Sequence, residues 1–409
     1  MIKEYSNINK IRLPFIVWIV LISTLVSSIG GRFFEYSIAS IGWLIPLIVS
    51  IPIILINPGR IRFPIFIWLP WICLVLIYLV FAQAPHALHR TVMMLCPLIV
   101  GIAVSKTRIE EQDLQSFIKL LRYVGIGFCV VIILKAGIVV TGMLPARTGL
   151  AAESMTGTLL CSLFVTNYVF GRKRDLGWWA AFAAIPYIAL TRTAMVAAGL
   201  SLPLTFAPMK IFKRFFFSFI VVIIAIPLFY TERVQSKMFY SGRGTLSEVH
   251  PDNPDFATSG RIALWDAMGK AIDEEPYFGH GANASEPFVS MLTGGLAHPH
   301  NDWLRLEYDY GYFGMGVFAL SFIMQLLHIL KRAKNSTGET KILFYAGAST
   351  ILSFVLFMFS DNIILYAAFF GNLQFMILGL AYAAYATRMR SDEMFSQDVT
   401  VKKRIRIRW

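Results

Sequence analysis

Charge is scarce in this chain. Only 15% of its 409 residues are Asp, Glu, Lys or Arg, against 56% hydrophobic, and the mean hydropathy is +0.63. A soluble domain needs more charge than this to cover its surface. Cysteine is scarce too. Cys73, Cys96, Cys129 and Cys161 all sit in apolar runs and form no CxxC pair. That pattern excludes a disulfide framework and leaves four small hydrophobes. No internal repeat and no low-complexity tract occurs. Alternating polar and apolar segments are missing as well, and runs such as 215–229 are apolar on every side, which excludes a closed β-barrel. The first apolar run follows a basic N-terminus but has no small-residue cleavage site. It therefore reads as a first membrane helix rather than a cleaved signal.

What is present is a series of apolar runs near the roughly 20 residues a helix needs to cross a bilayer. Twelve candidate spans fall at about 13–30, 38–56, 64–82, 91–105, 117–139, 154–170, 177–190, 191–208, 212–230, 311–330, 342–360 and 363–386. The seventh and eighth meet as a tight hairpin around Thr191. With the N-terminus in the cytoplasm, 24 of the 37 Lys and Arg fall in inside segments and 10 outside; Lys119, Arg122 and Lys135 lie within the fifth span. This bias predicts that both termini are cytoplasmic. The net charge of +13 is then an inside-face property. The tail KKRIRIRW reads as an anchor near anionic lipid, not as a nucleic-acid site.

The expected architecture is an all-α polytopic membrane protein. It has about 12 transmembrane helices and one large, partly helical extracytoplasmic loop. Spans one to nine occupy 1–230, the outward loop 231–310, the last three spans 311–386, and a basic tail 387–409. The loop carries 12 Asp and Glu against 6 Lys and Arg, the reverse of the whole chain. It is too long for a simple connector and should hold structure of its own. Ser259 or Gly260 can start a helix with an apolar stripe at Ile262, Leu264, Trp265, Met268, Ala271 and Ile272. A second helix begins near Asn301 or Asp302, both good N-caps, and is broken at 311–314 before the tenth span.

Chemistry concentrates between Ser259 and Gly314. His300, in the run His-Pro-His-Asn-Asp, can accept a proton from a hydroxyl near neutral pH. A His just before a helix start lies near outward-pointing amides, which favours its neutral form. A hydrogen-bonded loop histidine is the plainer alternative. His298 and His300 as a metal pair lack further ligands at suitable spacing. Arg261 opens an amphipathic helix, where its planar fork suits phosphate; the alternative is an ion pair with Asp266 or Glu286. Arg192, in IALTRTAMVAAG, arrives at the outer edge of the eighth span. A charge at that depth faces a cavity or partner, or else snorkels to the interface. Arg147, Thr148, Gly149 and Glu153 form a weaker outer group. Trp178, Trp179 and Tyr230 read as interfacial anchors.

Taken together these residues resemble a known family. Ser259-Gly260-Arg261 with Trp265, Pro276 to Gly281, His300-Asn301-Asp302-Trp303-Leu304 and Gly311-Tyr312-Phe313-Gly314 are similar to the loop signature of the O-antigen ligase/polymerase family. Thr191-Arg192 resembles that family's Ser-Arg or Thr-Arg pair, and Arg147-Thr148-Gly149 its Arg-Thr-Gly turn. The resemblance implies a GT-C-like membrane glycosyltransferase of the bacterial inner (plasma) membrane. It implies a glycan donor linked to undecaprenyl diphosphate, no metal, no cofactor and an inverting transfer. Lipid A–core is the acceptor for a ligase, slightly favoured here by the single large loop; a second lipid-linked glycan is the acceptor for a polymerase. Carried over by motif, Arg192 and Arg261 bind the donor diphosphate and His300 is the catalytic base, with Asn301, His298 and Arg147 in support. Membrane lipids are the remaining partner, and nucleic acid is not one. A polysaccharide or small-molecule transporter or flippase is the rival class, since twelve spans are common there. It fits less well, because the connection at 171–177 is short and the long loop follows the ninth span.

Overall fold

The apolar runs fold as helices because an unpaired backbone group in lipid costs several kcal/mol. The computed structural model describes residues 13–29, 32–33, 36–57, 59–140 and 150–406. It opens with α1 (Phe15–Ile29), a hairpin of two-residue strands β1 (Arg32–Phe33) and β2 (Tyr36–Ser37), α2 (Ile38–Ile41) and α3 (Leu44–Ile56). Then come α4 (Ile65–Val80), α5 (Ala87–Ser105), α6 (Glu111–Val140), α7 (Ala151–Val169), α8 (Asp175–Ala189), α9 (Arg192–Ser201) and α10 (Ile211–Phe229). The long polar segment holds α11 (Glu232–Met238), α12 (Arg261–Ile272) and α13 (Ser285–Thr293). The chain ends with α14 (Asp302–Lys334), α15 (Gly338–Met358) and α16 (Asn372–Arg406). Arg147, Thr148 and Gly149 lie outside the described residues.

Among the described residues six helices are long and apolar enough to cross a membrane: Ala87–Ser105, Glu111–Lys135, Ile211–Phe229, Asp302–Lys334, Gly338–Met358 and Ala367–Met389. Phe15–Ile29, Leu44–Ile56 and Ile65–Val80 are shorter apolar helices. Most of the described residues are helical, as the composition predicts. α9 has only 10 residues, a rise of about 15 Å, roughly half of a bilayer core. The expected turn at Thr191 is formed by left-handed Leu190 and extended Thr191.

α7 sits at the centre of the bundle, with fifteen of its residues buried. Its Ser and Thr side chains recur every four residues and bond back along the helix: Ser154 to Leu150, Thr158 to Ser154, Ser162 to Thr158 and Thr166 to Ser162. Small hydroxyl residues satisfied in this way let neighbouring helices approach closely. Ser162 meets Ser353 of α15 at 3.2 Å. Two of the three charges in the fifth expected span are paired within the protein. Arg122 bridges to buried Asp175 at 2.7 Å, and Lys135 bridges to buried Glu153. Trp179, expected as an interfacial anchor, is half-buried and donates to the Ser201 hydroxyl at 3.1 Å.

The last span does not begin as a regular helix. Between α15 and α16 the chain makes a 3₁₀ turn (Ile363–Leu365) and a π-helical segment (Ala367–Gly371). Carbonyls left over there are taken by side chains. Thr24 of α1 donates to Ala368 at 2.8 Å and Thr156 of α7 donates to Phe369 at 2.6 Å. Broken backbone at this depth is tolerated when protein groups satisfy it, and such bulges often shape sites.

In the polar segment, Leu264, Met268 and Ile272 of α12 pack with Val289 and Tyr308 in a small core, which accounts for the apolar stripe. α14 is capped by Asn301, whose side chain accepts from Leu304 N–H at 3.1 Å. The expected break is at Gly311, with φ 65° and ψ −177°. The turn at Pro276–Gly281 lies against this kink, joined by Tyr312 N–H to Pro276 O (2.8 Å) and His280 N–H to Tyr308 O (2.9 Å). A Cβ on Gly311 would run into the backbone of Tyr277 and Phe278, and one on Gly279 into that of Tyr308 to Gly311. The two glycine motifs are therefore halves of one joint.

Candidate active site

Three segments converge on the turn Ser360-Asp361-Asn362, between α15 and the last span. The first is the start of α12. Left-handed Ser259 (φ 55°) and Gly260 (φ 74°) reverse the chain and launch the helix at Arg261. Arg261 Nη1 then donates to the Ser360 carbonyl at 2.7 Å. Burial lowers its guanidinium from the ordinary value, opposed by the nearby Asp361 carboxylate. No ion pair with Asp266 or Glu286 forms; Glu286 is held by Arg90 at 2.9 Å.

The second segment is the start of α9. The Thr193 hydroxyl bonds that of Ser360. Arg192 Nη1 donates to the Ala257 carbonyl at 2.9 Å, and its guanidinium lies 5.6 Å from the Phe256 ring centroid. Arg192 and Arg261 are near enough for their like charges to repel. Two partly buried cations kept together leave a place for an anion.

The third is His300, left-handed at φ 54°. Its N–H donates to Asn362 Oδ1 at 3.0 Å, which turns the Asn362 amide nitrogen toward His300 Nδ1, 3.1 Å away. Asp361 Oδ1 lies 3.7 Å from the same Nδ1. While Asn362 donates to Nδ1, the neutral ring carries its proton on Nε2. A proton on Nδ1, facing Asp361, leaves the Nε2 lone pair open. His298, by contrast, is pushed down to about 4 by burial, with Arg305 and Arg90 adding repulsion.

Left-handed backbone at non-glycine residues is uncommon and costs about 1–3 kcal/mol each. Among the described residues it occurs at His86, Leu190, Ser259, Asn283 and His300. Leu190, Ser259 and His300 deliver Arg192, Arg261 and the imidazole. Asn283 bonds Glu286 and the Pro85 carbonyl, and so joins the polar segment to the start of α5 at His86. Strain gathers where the polar side chains gather.

Thus Arg192, Arg261, His300, His298 and Asn301 come together, Asn301 as a helix cap. Glu153 pairs with Lys135. Sequence reasoning missed Ser360, Asp361 and Asn362. Their signal was a polar triplet between two apolar runs, at the end of the bundle the charge bias assigns to the outer face. It also missed Arg305, buried on α14 and bonded to Asn283 at 3.0 Å. Among the described residues no group of three or more His, Cys, Asp or Glu is arranged to hold a metal ion.

A comparison with the curated proteins found no match. Compared with known protein families, residues 176–319 match the family described as O-Antigen ligase. That stretch contains Arg192, Arg261, His298, His300 and Asn301, and the protein's long apolar helices are of the kind that cross membranes. The region of this membrane protein that carries the site is thus similar to the O-antigen ligase family over residues 176–319.

Proposed function

We propose that this protein transfers a glycan from undecaprenyl diphosphate to an acceptor hydroxyl on the extracytoplasmic face of a bacterial inner membrane. The observation that carries the reading is the convergence of Arg192, Arg261 and His300 on Ser360–Asn362. The donor's diphosphate sits at the two guanidiniums. The acceptor oxygen attacks the anomeric carbon from the opposite face as the bond to the diphosphate oxygen breaks. The hydroxyl proton passes to His300 Nε2, and the electron pair leaves with the diphosphate. Preorganised cations stabilise that developing charge. The base-competent ring is the tautomer with its proton on Nδ1, turned toward Asp361 rather than Asn362, and the Asp361 carboxylate 3.7 Å away stabilises the imidazolium by charge, as a positioning residue. His298 is the weaker candidate base, since a ring titrating near 4 holds a proton poorly at neutral pH. Configuration inverts because a single displacement occurs.

The charge bias supports an outward position for residues 231–310, as a lid that carries Arg261 and His300 over Arg192 on α9. Lipid A–core is the acceptor of a ligase, and the single large outer loop favours that assignment over a polymerase acting on a second lipid-linked glycan.

Two measurements test the reading. Purified protein in liposomes should release undecaprenyl diphosphate from a lipid-linked glycan only when acceptor is present, with the rate unchanged by EDTA. No release, or release abolished by EDTA and restored by a divalent cation, refutes the metal-free mechanism. The glycan profile of a deletion strain separates the acceptors: uncapped lipid A–core beside long lipid-linked chains marks a ligase, and single repeat units mark a polymerase.

A further inference from the structure

A cavity of about 280 Å³ opens at Asn362, whose amide faces the His300 ring. Its lining includes Trp43, His89, Arg90, His298, Asn362 and Tyr366. The volume is near the lower edge of the roughly 300–1,000 Å³ typical of small-molecule sites. Neither Arg192 nor Arg261 lines it. Asn362 thus links the cavity to the turn that Arg261 and Thr193 hold at Ser360. A displacement with inversion needs the leaving group on one side and the nucleophile on the other.

The wall chemistry narrows the occupant. Arg90 is the one permanent cation in the lining, and Glu286 neutralises it through Nε–Oε2 (2.9 Å) and Nη2–Oε1 (3.2 Å). No carboxylate lines the cavity among the described residues. Trp43 and the His89 ring stack at 5.5 Å, and Tyr366 and Phe369 add aromatic faces. Asn362, His89 and His298 offer polar groups. An electrically quiet pocket with aromatic faces and a few hydrogen-bonding rings suits a hydroxyl-rich, uncharged ring. The π-helical segment supplies Ala368 and Phe369, and the Asn283 and Glu286 contacts clamp the start of α5.

We propose that this cavity is the subsite for the acceptor's terminal sugar, and that it selects a neutral sugar over an acidic one. The proposal rests on the transferase reading for its role. Its test is a binding measurement, so that the two fail separately.

The experiment is saturation-transfer NMR on the purified full-length protein. Glucose, galactose, mannose, N-acetylglucosamine and galacturonic acid serve as free probes at millimolar concentration. At least one neutral hexose should show saturation, and galacturonic acid should not. Ala152→Phe, which fills the cavity from α7, should abolish the signal while undecaprenyl diphosphate still binds with unchanged affinity. His298→Gln, a milder change, should weaken the hexose signal several-fold without touching undecaprenyl diphosphate binding. His300→Ala should leave hexose binding intact even though transfer is lost. The proposal is overturned if no neutral hexose binds, if galacturonic acid binds best, or if hexose binding survives both Ala152→Phe and His298→Gln. Should Ala152→Phe fail to fold, His298→Gln alone decides.

Discussion

Arg261 and His300 are held by one short turn: the guanidinium donates to the Ser360 carbonyl at 2.7 Å, and the His300 N–H donates to Asn362 Oδ1 at 3.0 Å. Two residues of backbone thus fix the spacing between a phosphate-type cation and a candidate base. The separation cannot drift unless that turn moves. Productive geometry has to be held to well under 1 Å in sites of this kind.

His300→Ala should abolish transfer while expression and membrane insertion stay normal. The loss is expected to be at least about 10²–10⁴-fold in kcat. Wild-type product from this variant would remove His300 as the base. Asp361→Asn should lower kcat with donor KM little changed, because the imidazolium formed on proton transfer loses its counter-charge. A merely structural Asp361 would lower the amount of folded protein and leave kcat per folded molecule in place.

Arg192→Lys and Arg261→Lys should each fail to support transfer, with losses of about 10²–10³-fold. An ammonium is a point charge and cannot reproduce the planar fork. Arg261→Lys also loses the geometry of the bond to Ser360. Steady-state transfer in liposomes is the measurement. Activity retained by the double Lys variant would rule out bidentate phosphate binding.

Gly311→Ala should destabilise the protein by several kcal/mol. The position has φ 65° and ψ −177°, a region open essentially to glycine, and a Cβ meets the backbone of Tyr277 and Phe278. Thermal unfolding in detergent should show a clearly lower midpoint and poor yield. A normal midpoint would mean that the Pro276–Gly281 joint yields easily.

His298 gives a pH dependence of stability whose sign follows from its depressed pKa, about 4 against 6.5 for the free side chain. The folded state disfavours its protonation. The stabilisation is complete above about 6.5 and is lost as pH falls from there toward 4, by about 3 kcal/mol at most. Hydrogen exchange around residues 296–300 should accelerate over that window in the native protein. In His298→Gln the acceleration should be absent; if it persists, another group is responsible.

The sequence by itself determined the helical membrane body, the inward bias of Lys and Arg, and the polar segment with its helix starts at Arg261 and Asp302. Each follows from local physics: hydropathy of a run, charge at its ends, a cap, a glycine. Arg192, Arg261 and His300 were also legible, because a cation or an imidazole is conspicuous in so apolar a chain. Tertiary structure decided what those residues meet. Ser360, Asp361 and Asn362 lie about 60 to 170 positions away from them along the chain, and no local signal pairs residues at that distance. Structure also gave the glycine motifs their meaning, as two backbones in contact, and opened a cavity at Asn362. Packing of α5, α7 and the π-helical segment made that space, and packing between distant segments is a property of the fold rather than of any single run.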